Sequence, residues 1–161
     1  MAGLAVPASA ADNDTKQVEA GTEHSLFVTE GGDLYGCGLI TSKQMGNIQQ
    51  TPDARGTCTT RSQYITNKVD KVATSRFTTG SRISHVLILK ENGKLYGMGS
   101  NVMYQLSFEE KGLYPGLVYI MDDVVDIAAS FRASWAPDTA SIRSGPGSLP
   151  ASPPAPSSTA M

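Results

Sequence analysis

Short apolar runs alternate with polar, glycine-bearing turns along this chain, and they come in matched sets. Val86-Leu87-Ile88-Leu89, opened by His85, is apolar at every position. Glu91-Asn92-Gly93 follows, then Lys94-Leu95-Tyr96-Gly97-Met98-Gly99. Upstream the same order holds: His24-Ser25-Leu26-Phe27-Val28, then Glu30-Gly31-Gly32-Asp33, then Leu34-Tyr35-Gly36-Cys37-Gly38. Each set reads as strand, turn and strand. Asn-Gly between apolar runs predicts a tight hairpin, with positive φ favoured at both Asn92 and Gly93. A strand apolar at every position predicts burial of both faces, as in a sheet stacked between other sheets. The pairs Gly36-x-Gly38 and Gly97-x-Gly99 predict a bulge or close backbone approach, at the end of an inner strand.

The hairpins recur from Leu34 to Leu95. The segments ahead of them keep a shorter and steadier period, with Val18 to Val72 and Val72 to Ile127 almost equal in length. The difference predicts an insertion in the second unit, around residues 76–83, and insertions in one repeat usually map to a loop on one face. The predicted organisation is a leader at 1–16, repeats at 17–136 (about 17–71, 72–126 and a partial 127–136), and a tail at 137–161. Within the first repeat, Leu39 to Lys68 reads as surface loop, with Tyr64-Ile65-Thr66 as an outer strand. Leu113 to Ile120 reads as a turn and a strand. A third unit opens at Asp122, and Ala133-Ser134-Trp135-Ala136 falls where His-Ser-Leu-Phe stood in the first. Its Leu-Tyr-Gly-x-Gly never arrives, so the last unit is expected to lack its inner strand. The open edge left there predicts self-association.

Composition sharpens this picture in four places. Sixteen glycines and nine prolines in 161 residues favour turns and short strands over long helices, hence an all-β domain. A net charge of −2, with no dense Lys/Arg cluster, argues against direct nucleic-acid binding. No apolar run is long enough for a membrane span. Ala, Ser, Pro, Thr and Gly make up most of the tail, leaving too little apolar surface to offset chain entropy, so disorder is expected there. The leader has two readings. Ala8-Ser9-Ala10 matches the small-residue cleavage pattern of an export signal, whereas the short apolar core and absent charged start fit a disordered leader. A secreted or cell-surface location is preferred, with the cytoplasm as the alternative.

Candidate chemistry is sparse. His24 and His85 recur at one repeat position, which predicts a structural role, hydrogen-bonding a neighbouring turn, over general acid-base work. Tyr35 and Tyr96 predict packing between units. Asp122 and Asp123, read as adjacent strand residues, would point to opposite faces and could not share an ion. Cys37 and Cys58 cannot complete a zinc site. They read as two free thiols, with one disulfide as the alternative. No phosphate-binding Gly-Lys-Ser/Thr loop and no Gly-x-Ser-x-Gly elbow occurs. No catalytic, cofactor or metal residue is therefore assigned. The residues singled out are the repeat signature: His24, Leu34, Tyr35, Gly36, Gly38, His85, Asn92, Gly93, Leu95, Tyr96, Gly97 and Gly99.

Val18-Glu19-Ala20-Gly21, His24-Ser25-Leu26 and Gly32-Asp33-Leu34-Tyr35-Gly36-Cys37-Gly38 together resemble the repeat of the regulator of chromosome condensation family. Gly99-Ser100-Asn101 and Tyr104-Gln105-Leu106 resemble its glycine-serine-asparagine and glycine-glutamine-leucine signatures, with Tyr104 where the family usually has glycine. The resemblance runs from about Val18 to Ala136. It implies blades of a β-propeller that closes with seven, so two to three units make an incomplete ring, expected to be part of a larger protein or to assemble with further copies. The expected function is a non-catalytic protein-interaction module. The alternative is regulation of an enzyme, since the resemblance implies nucleotide exchange on a small GTPase for some members and inhibition of a secreted β-lactamase for a similar propeller. No partner is identified by the repeat signature.

Overall fold

The computed structural model describes residues 14–46, 58–76, 83–130 and 134–138. The leader up to residue 13, residues 77–82 of the insertion and the tail from residue 139 lie outside the described residues. The described residues form ten strands and no helix. β1 (Thr15–Ala20), β2 (His24–Thr29), β3 (Leu34–Leu39) and β4 (Cys58–Thr66) make one antiparallel sheet in chain order. β5 (Val69–Thr74), β6 (His85–Lys90), β7 (Leu95–Ser100) and β8 (Leu113–Met121) make a second of the same topology. β9 (Ala128–Ala129) and β10 (Ser134–Trp135) pair as the start of a third. The fold is all-β, a row of blade-like sheets that does not close.

The two hairpins are copies in detail. His24 pairs with Gly38, and His85 with Gly99. At the turns, Thr29 N donates to Asp33 O and Lys90 N to Lys94 O, each at 2.9 Å. Gly32 N donates to Thr29 O and Gly93 N to Lys90 O, again at 2.9 Å. These are three-residue loops closed by a left-handed glycine. Gly32 has φ 80° and Gly93 φ 77°, whereas Asn92 does not take positive φ. The tight turn with two positive-φ residues is thus corrected. Asn92 instead accepts the Lys94 N–H at 3.2 Å, and the glycine alone reverses the chain.

Each Gly-x-Gly carries two different constraints. Gly38 (φ 105°) and Gly99 (φ 100°) are left-handed, and a Cβ there would lie 2.4 Å from Glu23 O or 2.6 Å from Ser84 O. Those neighbours are backbone and cannot move aside. Gly36 and Gly97 need no special φ; they need the absence of a side chain. A Cβ would meet Met45 Sδ at 2.7 Å in one unit and Leu106 Cδ2 at 2.7 Å in the other. The register slips between the two glycines on both strands, so the bulge is real. Its strand is the third of four, however. The sheets approach one another along β1, β2, β5, β6 and β9, so the first strand of each lines the narrow end. The inner strand of the third unit is therefore present as β9, and among the described residues its sheet has β10 as the second strand. β9 and β10 leave no inner-strand gap of the kind expected from the sequence.

The Leu39 to Lys68 segment is also corrected. The outer strand β4 starts at Cys58 and has nine residues. Residues 40–46 are a plug, with Ser42, Gln44 and Met45 buried. Their counterparts in the second unit are Met103, Gln105 and Leu106. Gln44 Oε1 accepts Ser42 N at 3.0 Å, as Gln105 Oε1 accepts Met103 N at 2.8 Å. Lys43 and Tyr104 both take left-handed φ, 58° and 59°. That backbone explains the glycine expected at position 104; tyrosine there costs about 1–2 kcal/mol of backbone strain.

Two cores alternate with the sheets. Leu26, Val28, Leu34 and Met45 meet Val69, Val72, Val86, Ile88 and Met98 between the first and second sheets. Leu87, Leu89, Leu95 and Leu106 meet Val124 and Ile127 on the other side. Leu87 and Ile88 are both fully buried, from opposite faces of β6. Each such side chain contributes about 1.5–3 kcal/mol of burial.

Gly99→Val should therefore cost roughly 3–5 kcal/mol through backbone strain and overpacking. Gly116→Val, in β8 with nothing within 4 Å of its Cβ position, should change stability by less than about 0.5 kcal/mol. Denaturant melts of the two variants beside the parent check the contrast.

Candidate functional site

The chemically distinctive groups lie where one sheet meets the next. Three links stand out among the polar contacts that join the units, and two of them repeat. The turn glycine of each hairpin accepts the first amide of the next unit: Val69 N donates to Gly32 O at 2.9 Å, and Val124 N to Gly93 O at 3.0 Å. The histidine of each unit meets a hydroxyl of the next: His24 Nε2 lies 2.6 Å from Thr74 Oγ1, and His85 Nε2 lies 3.0 Å from Ser134 Oγ. The third link is particular to the first seam. Gln17 Nε2 donates to Val72 O at 2.8 Å and Gln17 Oε1 accepts Val72 N at 3.0 Å, so one side chain acts as a strand segment toward β5. Exposed ion pairs, Lys16–Asp70 at 2.7 Å and Lys71–Asp126 at 2.9 Å, flank the seams and contribute little.

The histidine partner is a strand hydroxyl of the adjoining unit, not the neighbouring turn that the sequence suggested. Thr74 Oγ1 donates to His85 O at 3.4 Å, which leaves His24 Nε2 to donate its proton to Thr74. Nδ1 of His24 is then the bare nitrogen, and Nδ1 of both histidines is buried and without a partner among the described residues. Burial lowers both pKa values from 6.5 to about 4. Neutral imidazole is the form that fits. His24 and His85 serve successive seams and form no joint site.

A second feature is a groove of about 420 Å³ at the turn end of the second unit, lined by Asn67, Lys68, Lys90, Glu91, Asn92 and Tyr96. Lys90 Nζ donates to Thr66 Oγ1 at 2.7 Å and to Asn67 O, tying the hairpin turn to the linker between sheets. Burial pushes the Lys90 ammonium below its usual range. Its lining carries amides, charges of both signs and one tyrosine ring.

The other signature residues are spread over both sheets. Leu34 and Leu95 are buried in successive cores. Tyr96 packs against the first core, between sheets. Tyr35 instead lies on the outer face of the first sheet, stacked on Phe27 with ring centroids 5.3 Å apart. Asp122 and Asp123 follow β8 in a bend rather than lying in a strand. Asp122 accepts from Tyr119 at 2.7 Å, bridges Lys94 at 3.0 Å, and is held below the usual carboxylate range by those two contacts. Cys37 and Cys58 form no disulfide. Among the described residues no three His, Cys, Asp or Glu side chains gather as a metal site. No helix there is long and apolar enough to cross a membrane.

Gln17, Gln44, Met45, Thr74 and Ser134 were not singled out by sequence. Gln44 and Met45 were findable, because they precede Gln105 and Leu106 by the same offset that separates the hairpins. Thr74 and Ser134 left no such signal, since they stand on different strands.

Comparison with known proteins agrees with this geometry. Residues 15–41 match the family model described as the regulator of chromosome condensation (RCC1) repeat. No curated protein sequence matches the chain. Among solved structures the chain is similar to Prp20p from Saccharomyces cerevisiae, a protein reported with its binding properties to Gsp1p and histones. The TM-score is 0.66 at 20% identity, over 83% of this chain and 32% of that one. Yeast RCC1 (Prp20) bound to Kap60 gives 0.64 at 21%, over 81% and 30%. Human WBSCR16 gives 0.61 at 19%, over 80% and 31%. The chain thus spans about a third of the length of these structures. It carries an RCC1 repeat and has the fold of RCC1-like propeller blades.

The buried histidines make stability depend on pH. Each has a folded pKa below its unfolded value, so between about 6.5 and 4 the unfolded chain binds more protons. Stability is fully present above about 6.5 and is lost as pH falls toward 4. From about pH 7.5 to 5 the loss should be on the order of 2 kcal/mol per histidine. Denaturant melts at the two pH values test this, and the double variant His24→Gln/His85→Gln should show a much flatter profile.

Proposed function

We propose that this chain is a non-catalytic protein-interaction module, one segment of an RCC1-like propeller that recognises a protein partner with the turn end of its blades. The observation that carries the reading is the assignment of the only two imidazoles to the seams. His24 and His85 are buried, neutral and bonded to hydroxyls of the next unit, which removes them from acid-base chemistry at neutral pH. What is left at the surface is recognition chemistry. The groove at Asn67, Lys68, Lys90, Glu91, Asn92 and Tyr96 offers amides, charge of both signs and one ring beside a turn closed by two hydrogen bonds. Support also comes from the neighbours of this fold, since Prp20 is described with Gsp1p, histones and Kap60, all of them proteins.

The test is capture and exchange. The immobilised chain, incubated with extract of its source cells, should retain a protein in fixed stoichiometry and release it at unchanged mass. Lys68→Glu, an exposed change in the groove, should weaken capture about tenfold or more with the melt unaltered. No retained protein, or a retained protein that leaves chemically altered, overturns the reading.

A further inference from the structure

The loop between β7 and β8 displays a strained tyrosine that the fold itself does not use. The loop leaves β7 after Ser100, at the end of the blade away from the turn at residues 91–93. Asn101 N donates to Gly112 O at 2.8 Å and closes its base. Inside it, Asn101 Nδ2 donates to Phe108 O at 3.1 Å and to Glu110 O at 2.7 Å, while Asn101 Oδ1 accepts Leu106 N at 2.9 Å. Two backbone bonds meet at Tyr104. Its N–H donates to Asn101 O at 3.1 Å, and its carbonyl accepts Ser107 N at 3.0 Å. Asn101, Gln105 and Leu106 are buried beneath it. The loop thus has its shape before any partner arrives, which lowers the cost of binding.

Tyr104 points outward from this frame. Its φ of 59° is a conformation that glycine takes freely and tyrosine takes under strain. The backbone bonds require the φ, and glycine would satisfy them equally. The ring gives the fold little in return, since it is 53% exposed and lies in neither core. Met103, at 45% exposed, precedes it, and Leu113, at 47%, follows the closed base. The corresponding residue of the first unit, Lys43, has φ 58° and is exposed as well. The position is therefore one of display in both units, and the side chain shown there differs. Strain kept at an exposed aromatic points to recognition.

The ring already holds a cation. Lys111 Nζ lies 5.0 Å from the Tyr104 ring centroid. The charged residues of 101–113 are Glu109, Glu110 and Lys111, all exposed, so the loop carries one more carboxylate than ammonium. Neither carboxylate is in an ion pair among the described residues. We propose that Tyr104, with Met103 and Leu113 on the same loop, docks an arginine-bearing segment of a partner protein. The guanidinium stacks on the ring, and the excess negative charge of the loop complements it. A planar guanidinium fits a ring face better than an ammonium and sheds its water more readily. The exposed methionine and leucine suit the aliphatic stem of that arginine. Lys111 occupies the ring in the free chain and yields it in the complex. This surface lies at the opposite end of the blades from the groove and does not rest on it.

The test is binding of a defined peptide to the full chain. The probe is a fluorescein-labelled peptide of four arginines spaced by glycine and serine, followed by anisotropy at about 0.15 M salt. Substitutions at Tyr104 leave the charge of the chain unchanged, so they separate the ring from bulk electrostatics. Tyr104→Phe keeps the ring and should bind within about twofold of the parent, whereas Tyr104→Leu and Tyr104→Gly should each bind at least about fivefold more weakly. Tyr104→Gly should also raise the melting temperature by about 2–4 °C, because the backbone strain is relieved. Lys111→Ala removes the competitor and should tighten binding about two- to threefold in the parent, and much less in the Tyr104→Leu background. Replacing the arginines of the peptide by lysine should weaken it at least about threefold. The proposal is overturned if Tyr104→Gly binds like the parent, or if Lys111→Ala weakens binding or acts equally in both backgrounds. A glutamate peptide that binds as well as the arginine peptide also overturns it. So does a fall in the melting temperature of Tyr104→Gly, since that makes the ring part of the fold. None of these readouts involves Lys68 or Lys90, so capture through the groove stands or falls separately.

Discussion

A strand that is apolar at every position stays dry only if a sheet lies on each side of it. β6 imposes that condition, because Val86 and Ile88 go to one core and Leu87 and Leu89 to the other. The rest of the architecture follows. Within each third strand, the second glycine lets the chain leading into β2 or β6 approach its backbone, and the first leaves room for Met45 or Leu106. Stacking also traps the polar ends of the strands, which must then find partners across the seam. Gly32 O, Gly93 O and the two histidines meet that need. The seam is therefore a consequence of burying the hairpin on both faces.

Neutral imidazole suits this place better than a charged group would. A buried Lys or Arg would require a counter-charge on the next unit. Imidazole donates one hydrogen bond and carries no net charge, so the seam needs only a hydroxyl. The cost is an unpartnered Nδ1 in each ring. The functional reading depends on this assignment, since a histidine held neutral between sheets is withdrawn from the surface where partners bind.

Much of the fold was legible in the sequence because the repeat is written twice. Matching hairpins fixed the strands β2, β3, β6 and β7, and the all-apolar run fixed the two-sided burial of β6. Turn geometry was misjudged because Asn-Gly fits two loop lengths, and the choice rests on the hydrogen bonds of Lys90 and Lys94. The plug at residues 40–46 was misjudged because Thr41, Ser42, Lys43 and Gln44 read as polar surface. Its burial comes from one anchor, Met45, filling the space left by Gly36. The position of the glycine-rich strand within its sheet depended on contacts between sheets, which a period along the chain does not encode. The histidines were legible as structural, but their partners were not, since Thr74 and Ser134 share no sequence position.

The freedom in placing that hydroxyl has an evolutionary side. It can come from either member of a cross-strand pair, Thr74 over Val86 in one unit and Ser134 over Ala129 in the other. The two positions thus behave as one degenerate locus. A lineage can lose the threonine on the first strand once serine has appeared on the second, with no interval of an unmet imidazole. Substitutions at the pair should therefore covary as an exclusive choice. Aligned column by column, each would look unconstrained, although the requirement they jointly satisfy is strict.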